Sequence, residues 1–210
     1  MMNQVQQTGT IYEAKTKTVT GIAMLSALAY ILMFFEVPIP MLLPGFIKMD
    51  FSELPALIAA FAYGPISGVA VCLIKNLIHL MNTQTGGVGE LVNFALGTIF
   101  VMTAGAIYKK NHTKSGAMIG SLLGATAMAV GSLPLNYYII YPIYENFMPL
   151  ETILAAYRAI LPVVKNLWQC LLIFNLPFTL FKGLCAAAIT FIIYKPLSPI
   201  LKGKTKTGNR

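Results

Sequence analysis

The chain has 210 residues, 57% hydrophobic and only 10% charged, and a mean hydropathy of +0.71. Soluble domains carry roughly 25% charged residues, so this composition excludes an ordinary soluble protein and defines an integral membrane protein. A formal charge of +8 does not point to nucleic acid here, because the Lys and Arg residues sit between apolar runs or at the chain ends, as topology signals do.

The first apolar run, 19–35, follows Lys15 and Lys17. It is too long for the apolar part of a signal peptide and no A-x-A-like site follows it, so it is predicted to be a retained span. The next stretch, "EVPIPMLLPGFIKMD" (36–50), is apolar and holds three prolines, and is expected to lie against the membrane-embedded core. Residues 51–63 form a short run that Gly64-Pro65 separates from the run at 65–81. Further runs at 89–108, 115–141 and 168–194 complete six candidate helices. Between the last two, Glu151, Arg158 and Lys165 recur every seven residues, a spacing that predicts a short amphipathic helix outside the bilayer. The expected fold is therefore an all-α, six-helix transmembrane bundle. Residues 1–15 are read as a disordered N-terminus, 16–196 as one membrane domain and 197–210 as a basic tail.

Orientation follows from the loop charges. With both termini cytoplasmic, the inner set is Lys15, Lys17, Lys109, Lys110, Lys114, Lys195, Lys202, Lys204, Lys206 and Arg210, against Lys48, Arg158 and Lys165 outside. That is a strong positive-inside bias. Cys72, Cys170 and Cys185 all fall in apolar runs and read as small hydrophobes, not as a disulfide or metal set.

Polar groups inside apolar runs carry the functional information, since a charged side chain at mid-bilayer costs at least about 2.5–3.5 kcal/mol. They are Lys75, Asn76 and His79, then Glu90 and Asn93, Asn136, and finally Asn175, Thr179 and Lys182. The last three are spaced i, i+4, i+7 and share a helix face. On the orientation above, three neighbouring helices can converge their polar groups on an outward-facing cavity. Phe46, Phe94, Tyr137, Tyr138, Tyr141, Phe174 and Phe178 lie beside them. An apolar pocket with a few placed polar groups is the usual build of a small-molecule site, and asparagine amides suit the edge of a planar heterocycle.

Structural roles compete with this reading. A lone Asn in a membrane helix also serves as glue between helices, and Lys75 and His79 have a carboxylate partner available in Glu90. GxxxG spacings at Gly64–Gly68, Gly116–Gly120 and Gly120–Gly124 read as helix packing. Lys182 has no obvious acid on the inner half of any span, which favours ligand contact. On that reading Lys182→Ala lowers ligand affinity and leaves folded yield nearly unchanged.

Enzymatic and energy-coupling motifs are missing. "GKT" at 203–205 lacks the leading glycine of a Walker A loop, and the sequence contains no HExxH, no GxSxG and no clustered carboxylates for a metal. The chain is equipped to bind rather than to catalyse or to couple energy alone.

Five stretches in order, "MLSALAYILMFFEVPIP", "IKMDFSELPALIAAFAYGPISGV", "GELVNFALGT", "LPLNYYIIYPIY" and "LPFTLFKG", resemble the substrate-capture (S) subunit of energy-coupling factor vitamin transporters, specifically the riboflavin-binding kind, over about residues 18–196. The resemblance implies a multi-pass protein of the bacterial plasma membrane that holds riboflavin near the outer face as transported ligand, with no cofactor, no metal and no enzymatic activity. It implies a transmembrane coupling subunit and two ATPase subunits as partners. Family contacts carry over to Asn136 and Lys182, and further to Pro44, Phe46, Lys48, Glu90 and Asn93; Ala23 and Ala27 match the small-residue face that meets the coupling subunit. The family pattern "PFNLIKG" departs at Thr179, where a hydroxyl replaces an amide, with Asn175 one turn earlier as compensation. That departure leaves FMN or another heterocyclic vitamin as alternative ligand, with Lys48 or Lys182 near a phosphate. The remaining rivals are a stand-alone facilitator and a membrane enzyme.

Overall fold

The computed structural model describes residues 2–39 and 42–201, with side chains described for 15–39 and 42–193. In chain order the helices are α1 (Met2–Phe34), α2 (Glu53–Tyr63), α3 (Pro65–His79), α4 (Val88–Lys110), α5 (Lys114–Leu135), α6 (Tyr141–Tyr144), α7 (Leu150–Arg158), α8 (Leu167–Cys170) and α9 (Leu176–Leu201). The backbone of α1 is helical from Met2, ahead of the apolar run expected at 19–35. At the other end α9 continues to Leu201, and the tail at 202–210 lies outside the described residues.

Five helical stretches are long and apolar enough to cross a membrane: Lys15–Phe34, Pro65–Asn82, Val88–Lys110, Lys114–Tyr144 and Leu167–Ile193. The remaining apolar helix, α2, has 11 residues. At 1.5 Å per residue it is about 16 Å long, roughly half the hydrocarbon thickness of a bilayer. It is buried from Glu53 to Phe61 because α1, α3, α4 and α9 all pack on it. A helix apolar on every face fits such a site and no other. Gly64, at φ 103°, makes the reversal between α2 and α3, and Pro65 starts α3 where a missing N–H does no harm.

Small residues let the helices approach. A Cβ on Gly120 would sit 2.7 Å from the Ala104 carbonyl oxygen, and one on Gly124 2.8 Å from that of Phe100, so α4 and α5 meet along this stripe as the GxxxG spacing predicts. Gly116 instead faces the Asn111 backbone of the preceding loop, and Gly64 serves the turn. Large apolar residues such as Met24, Leu28, Ile119, Leu122 and Leu123 are exposed on the outside, as a lipid-facing surface requires.

Two of the long stretches contain a π-helical turn, Asn136–Ile140 between α5 and α6 and Leu171–Asn175 between α8 and α9. In each the closing bond runs i+5 to i, from Tyr141 N–H to the Asn136 carbonyl and from Leu176 N–H to the Leu171 carbonyl. A proline follows each closing residue: Pro142 and Pro177. Neither can donate to the carbonyl four residues back, and its ring would collide with that carbonyl in a regular helix. The wider turn relieves both problems, and turns of this kind recur at functional sites.

Two short strands follow the end of α1. Val37–Pro38 (β1) pairs antiparallel with Lys48–Met49 (β2). Helix α7 buries Ile153, Leu154 and Tyr157 against Leu43, Leu171 and Phe174. It ends at Arg158, so Lys165 lies beyond it and does not continue the seven-residue series along one helix. Arg158 instead folds back to donate to the carbonyls of Val164 and Lys165.

Candidate functional site: a polar cavity at one end of the bundle

Helix ends and loops that are far apart in sequence enclose one cavity of about 180 Å³. Of the residues singled out from sequence, Phe46, Lys48, Glu90, Asn93, Asn136, Asn175, Thr179 and Lys182 line it. Pro44 does not: it is buried elsewhere, and its carbonyl accepts from Ile47 N–H at 2.9 Å. Apolar surface comes from Met33, Leu96, Met128, Ile140 and Phe178.

The floor of the cavity is a compensated charge cluster. Lys182 Nζ donates to Asp50 Oδ2 at 2.8 Å and lies 3.2 Å from Glu53 Oε2, an ion-pair contact without a directed hydrogen bond. Lys75, with a fully buried side chain, donates to Glu53 Oε1 at 3.3 Å and to Ser52 Oγ. Ser52 in turn donates to Asp50. Two ammoniums thus face two carboxylates, for a net charge of zero, and buried ions are tolerated on that condition. The sequence reading left Lys182 without an acid; the structure supplies Asp50 and Glu53 from just after β2 and the start of α2, not from the inner half of a span. Lys75, for which Glu90 was the candidate partner, pairs with Glu53. Burial pushes the Asp50 carboxyl up, but the ammoniums of Lys182 and Lys75 outweigh it and hold the group well below the usual carboxylate range.

Glu90 is occupied by the protein. His79 Nδ1 is 2.7 Å from its Oε1, and Thr83 Oγ1 and Thr85 Oγ1 donate to its Oε2 at 2.9 and 3.3 Å. The same Thr83 oxygen accepts from the backbone N–H groups of Thr85 and Gly87. Glu90 therefore organises the 83–89 loop, which turns through Gly86 and Gly87 at positive φ. At the cavity mouth Lys48 donates to Glu36 and, at 2.9 Å, to Gln84.

The amides remain partly open. Asn136 Nδ2 donates to the Ser132 carbonyl at 2.7 Å, which leaves its Oδ1 as a free acceptor. Asn76 Nδ2 donates to Asn93 Oδ1 at 3.2 Å, so Asn76 and Asn93 do bridge α3 to α4, while Asn93 Nδ2 stays available. Asn175 Oδ1 accepts from Tyr157 O–H at 2.7 Å. Thr179 makes no side-chain hydrogen bond among the described residues. Burial pushes the Tyr157 phenol well above its ordinary value, so it stays a neutral donor.

The sequence reading missed Asp50, Ser52, Glu53 and Tyr157. Asp50 and Glu53 had a signal, two acids three residues apart at the mouth of an apolar helix. Tyr157 had none, since its partners come from two other helices.

Five membrane-length apolar helices, with polar side chains from four of the long stretches and two loops meeting in one cavity, define a multi-pass membrane protein with a solute-sized pocket at one end. The family described as "ECF transporter, substrate-specific component" matches residues 17–194, and the chain belongs to it. Its role is that of a transporter component and not of an enzyme. The chain is 35% identical over 190 residues to the riboflavin transporter RibU of Staphylococcus aureus, covering 90% of this chain and 94% of that one. It is 33% identical over 190 residues to the riboflavin transporter FmnP of Bacillus subtilis, at 88% and 94% coverage. A solved structure, described as the S component of a bacterial ECF transporter, superimposes with a TM-score of 0.71 at 30% identity, covering 90% of this chain and 99% of that one.

Proposed function

We propose that this chain captures riboflavin at the outer face of the bacterial plasma membrane and delivers it for ATP-driven uptake by a separate energy-coupling module. One observation carries the reading: the open polar atoms of Asn93, Asn136, Asn175 and Thr179 share a cavity with the aromatic rings of Phe46 and Phe178. Amide edges and apolar faces in one pocket suit a planar heterocycle with a polyol chain. The names of the relatives agree with that chemistry. Helix α2 counts as the sixth helix of the bundle, both termini are cytoplasmic by the loop charges, and the cavity opens outward. Ala23 and Ala27 are exposed on α1, which supports docking of the coupling subunit there; two ATPase subunits complete the assembly.

FMN is the second candidate, and the charge pairing argues against it. A phosphate gains most from cations free to pair with it, whereas Lys182 and Lys75 face Asp50 and Glu53, and Lys48 faces Glu36. The cavity volume of about 180 Å³ is below the roughly 300 Å³ at which drug-sized sites begin, so a flavin displaces side chains at the mouth, where Lys48 bridges Glu36 and Gln84. Quenching of riboflavin fluorescence by purified protein tests capture, and uptake into vesicles tests coupling. Absence of quenching rejects riboflavin as ligand, and uptake by the chain alone would make it a facilitator.

A further inference from the structure

Tyr157 is the one fully buried tyrosine in α7; it does not line the cavity, yet it touches two side chains that do. Its hydroxyl donates to Asn175 Oδ1 at 2.7 Å and lies 2.5 Å from the hydroxyl of Tyr141. A phenol carries one proton. With that proton on Asn175, the short contact to Tyr141 requires Tyr141 to donate to the Tyr157 oxygen. The bonds then run in one direction, from Tyr141 O–H to Tyr157 and from Tyr157 O–H to Asn175.

That direction decides what the wall offers. With Oδ1 of Asn175 taken by Tyr157, its Nδ2 is the group left to donate. Tyr141, having spent its proton, presents lone pairs. Asn136, whose Nδ2 is held by the Ser132 carbonyl, presents an acceptor. An asparagine amide left to itself can show either edge. Both asparagines sit in π turns. The ring of Tyr157 is fixed independently, with its centroid 5.9 Å from that of Phe46 and 5.2 Å from that of Phe174. Helix α7 thus brings a rigid phenol to the back of the wall.

We propose that Tyr157 is a positioning residue for the ligand: through its hydroxyl it fixes the donor edge of Asn175 and the acceptor state of Tyr141 toward the cavity. The inference rests on the riboflavin reading, and no contact between Tyr157 and the ligand is involved.

The test uses the full chain in detergent, with riboflavin as probe. Tyr157→Phe keeps the ring packing and removes both bonds. Riboflavin affinity should fall about tenfold, with the melting temperature of the ligand-free protein within a few degrees of wild type. A residue that acts through Asn175 and Tyr141 has less left to remove once Asn175 is gone. Tyr157→Phe combined with Asn175→Ala should therefore lose less affinity than the product of the two single losses. Tyr157→Phe binding riboflavin like wild type overturns the proposal, as does a double variant whose loss equals the product of the two single losses, since that marks independent structural damage. Wild-type protein that fails to bind riboflavin overturns the ligand reading, and this inference with it. If the Phe variant does not fold, Tyr141→Phe, which removes the upstream bond together with the acceptor that Tyr141 offers the cavity, should weaken binding about threefold or more; an unchanged affinity there overturns the proposal.

Discussion

Replacement of Lys182 by Met tests why a lysine is tolerated at membrane depth. The substitution keeps much of the apolar stem and removes the ammonium. Asp50 and Glu53 then face Lys75 alone, so the cluster changes from two positive and two negative charges to one and two. Asp50 is 4% and Glu53 2% exposed, too little for water to compensate. Breaking a buried pair by removing one partner costs about 3–5 kcal/mol. At roughly 2–4 °C per kcal/mol for a chain of this size, the melting temperature should fall by about 6–20 °C. The simple expectation that Lys182→Ala spares folded yield is therefore revised: with its acids in place, Lys182 is a structural cation as well as a cavity group. Adding Asp50→Asn to Lys182→Met restores neutrality and should recover most of the loss. Thermal unfolding of the purified, ligand-free variants in detergent decides the matter. An unchanged melting temperature in Lys182→Met, or a double variant no better than the single, would refute the pairing argument.

Acid sensitivity carries the same cluster's signature. The folded-state pKa of Asp50 lies below the ordinary 3.8, so its contribution is present above that value and lost as pH falls through the folded pKa. Melting temperature measured against pH should show no Asp50-dependent decline between about pH 7 and 5 and a loss only below about pH 4; Asp50→Asn should start lower and flatten that acid limb. An Asp50-dependent decline already above pH 5 would contradict the pairing. For ligand choice, competition against riboflavin should show FMN binding at least about tenfold more weakly, because no cation of the cavity is uncompensated; equal affinity for the two flavins would reject the charge argument.

The membrane class and the positions of the long apolar stretches were legible because hydropathy is a local property. Each span announces itself without its neighbours. Asn136, Thr179 and Lys182 were legible for a related reason: a polar residue inside an apolar run stands out wherever it points. The prolines at 142 and 177 were visible too, but their consequence, two π turns that place Asn136 and Asn175 at the cavity, needs the backbone to be seen.

Partnership was not legible. Lys182 and Asp50 are 132 residues apart, and Tyr157 meets Asn175 from a helix that ends before the last span begins. Sequence alone determined that this protein lives in a bilayer and that certain side chains there need an explanation. Tertiary structure decided what satisfies each of them, because in a low-dielectric interior a charge or an amide depends on the partners packed around it, and chain order says little about which partners those are.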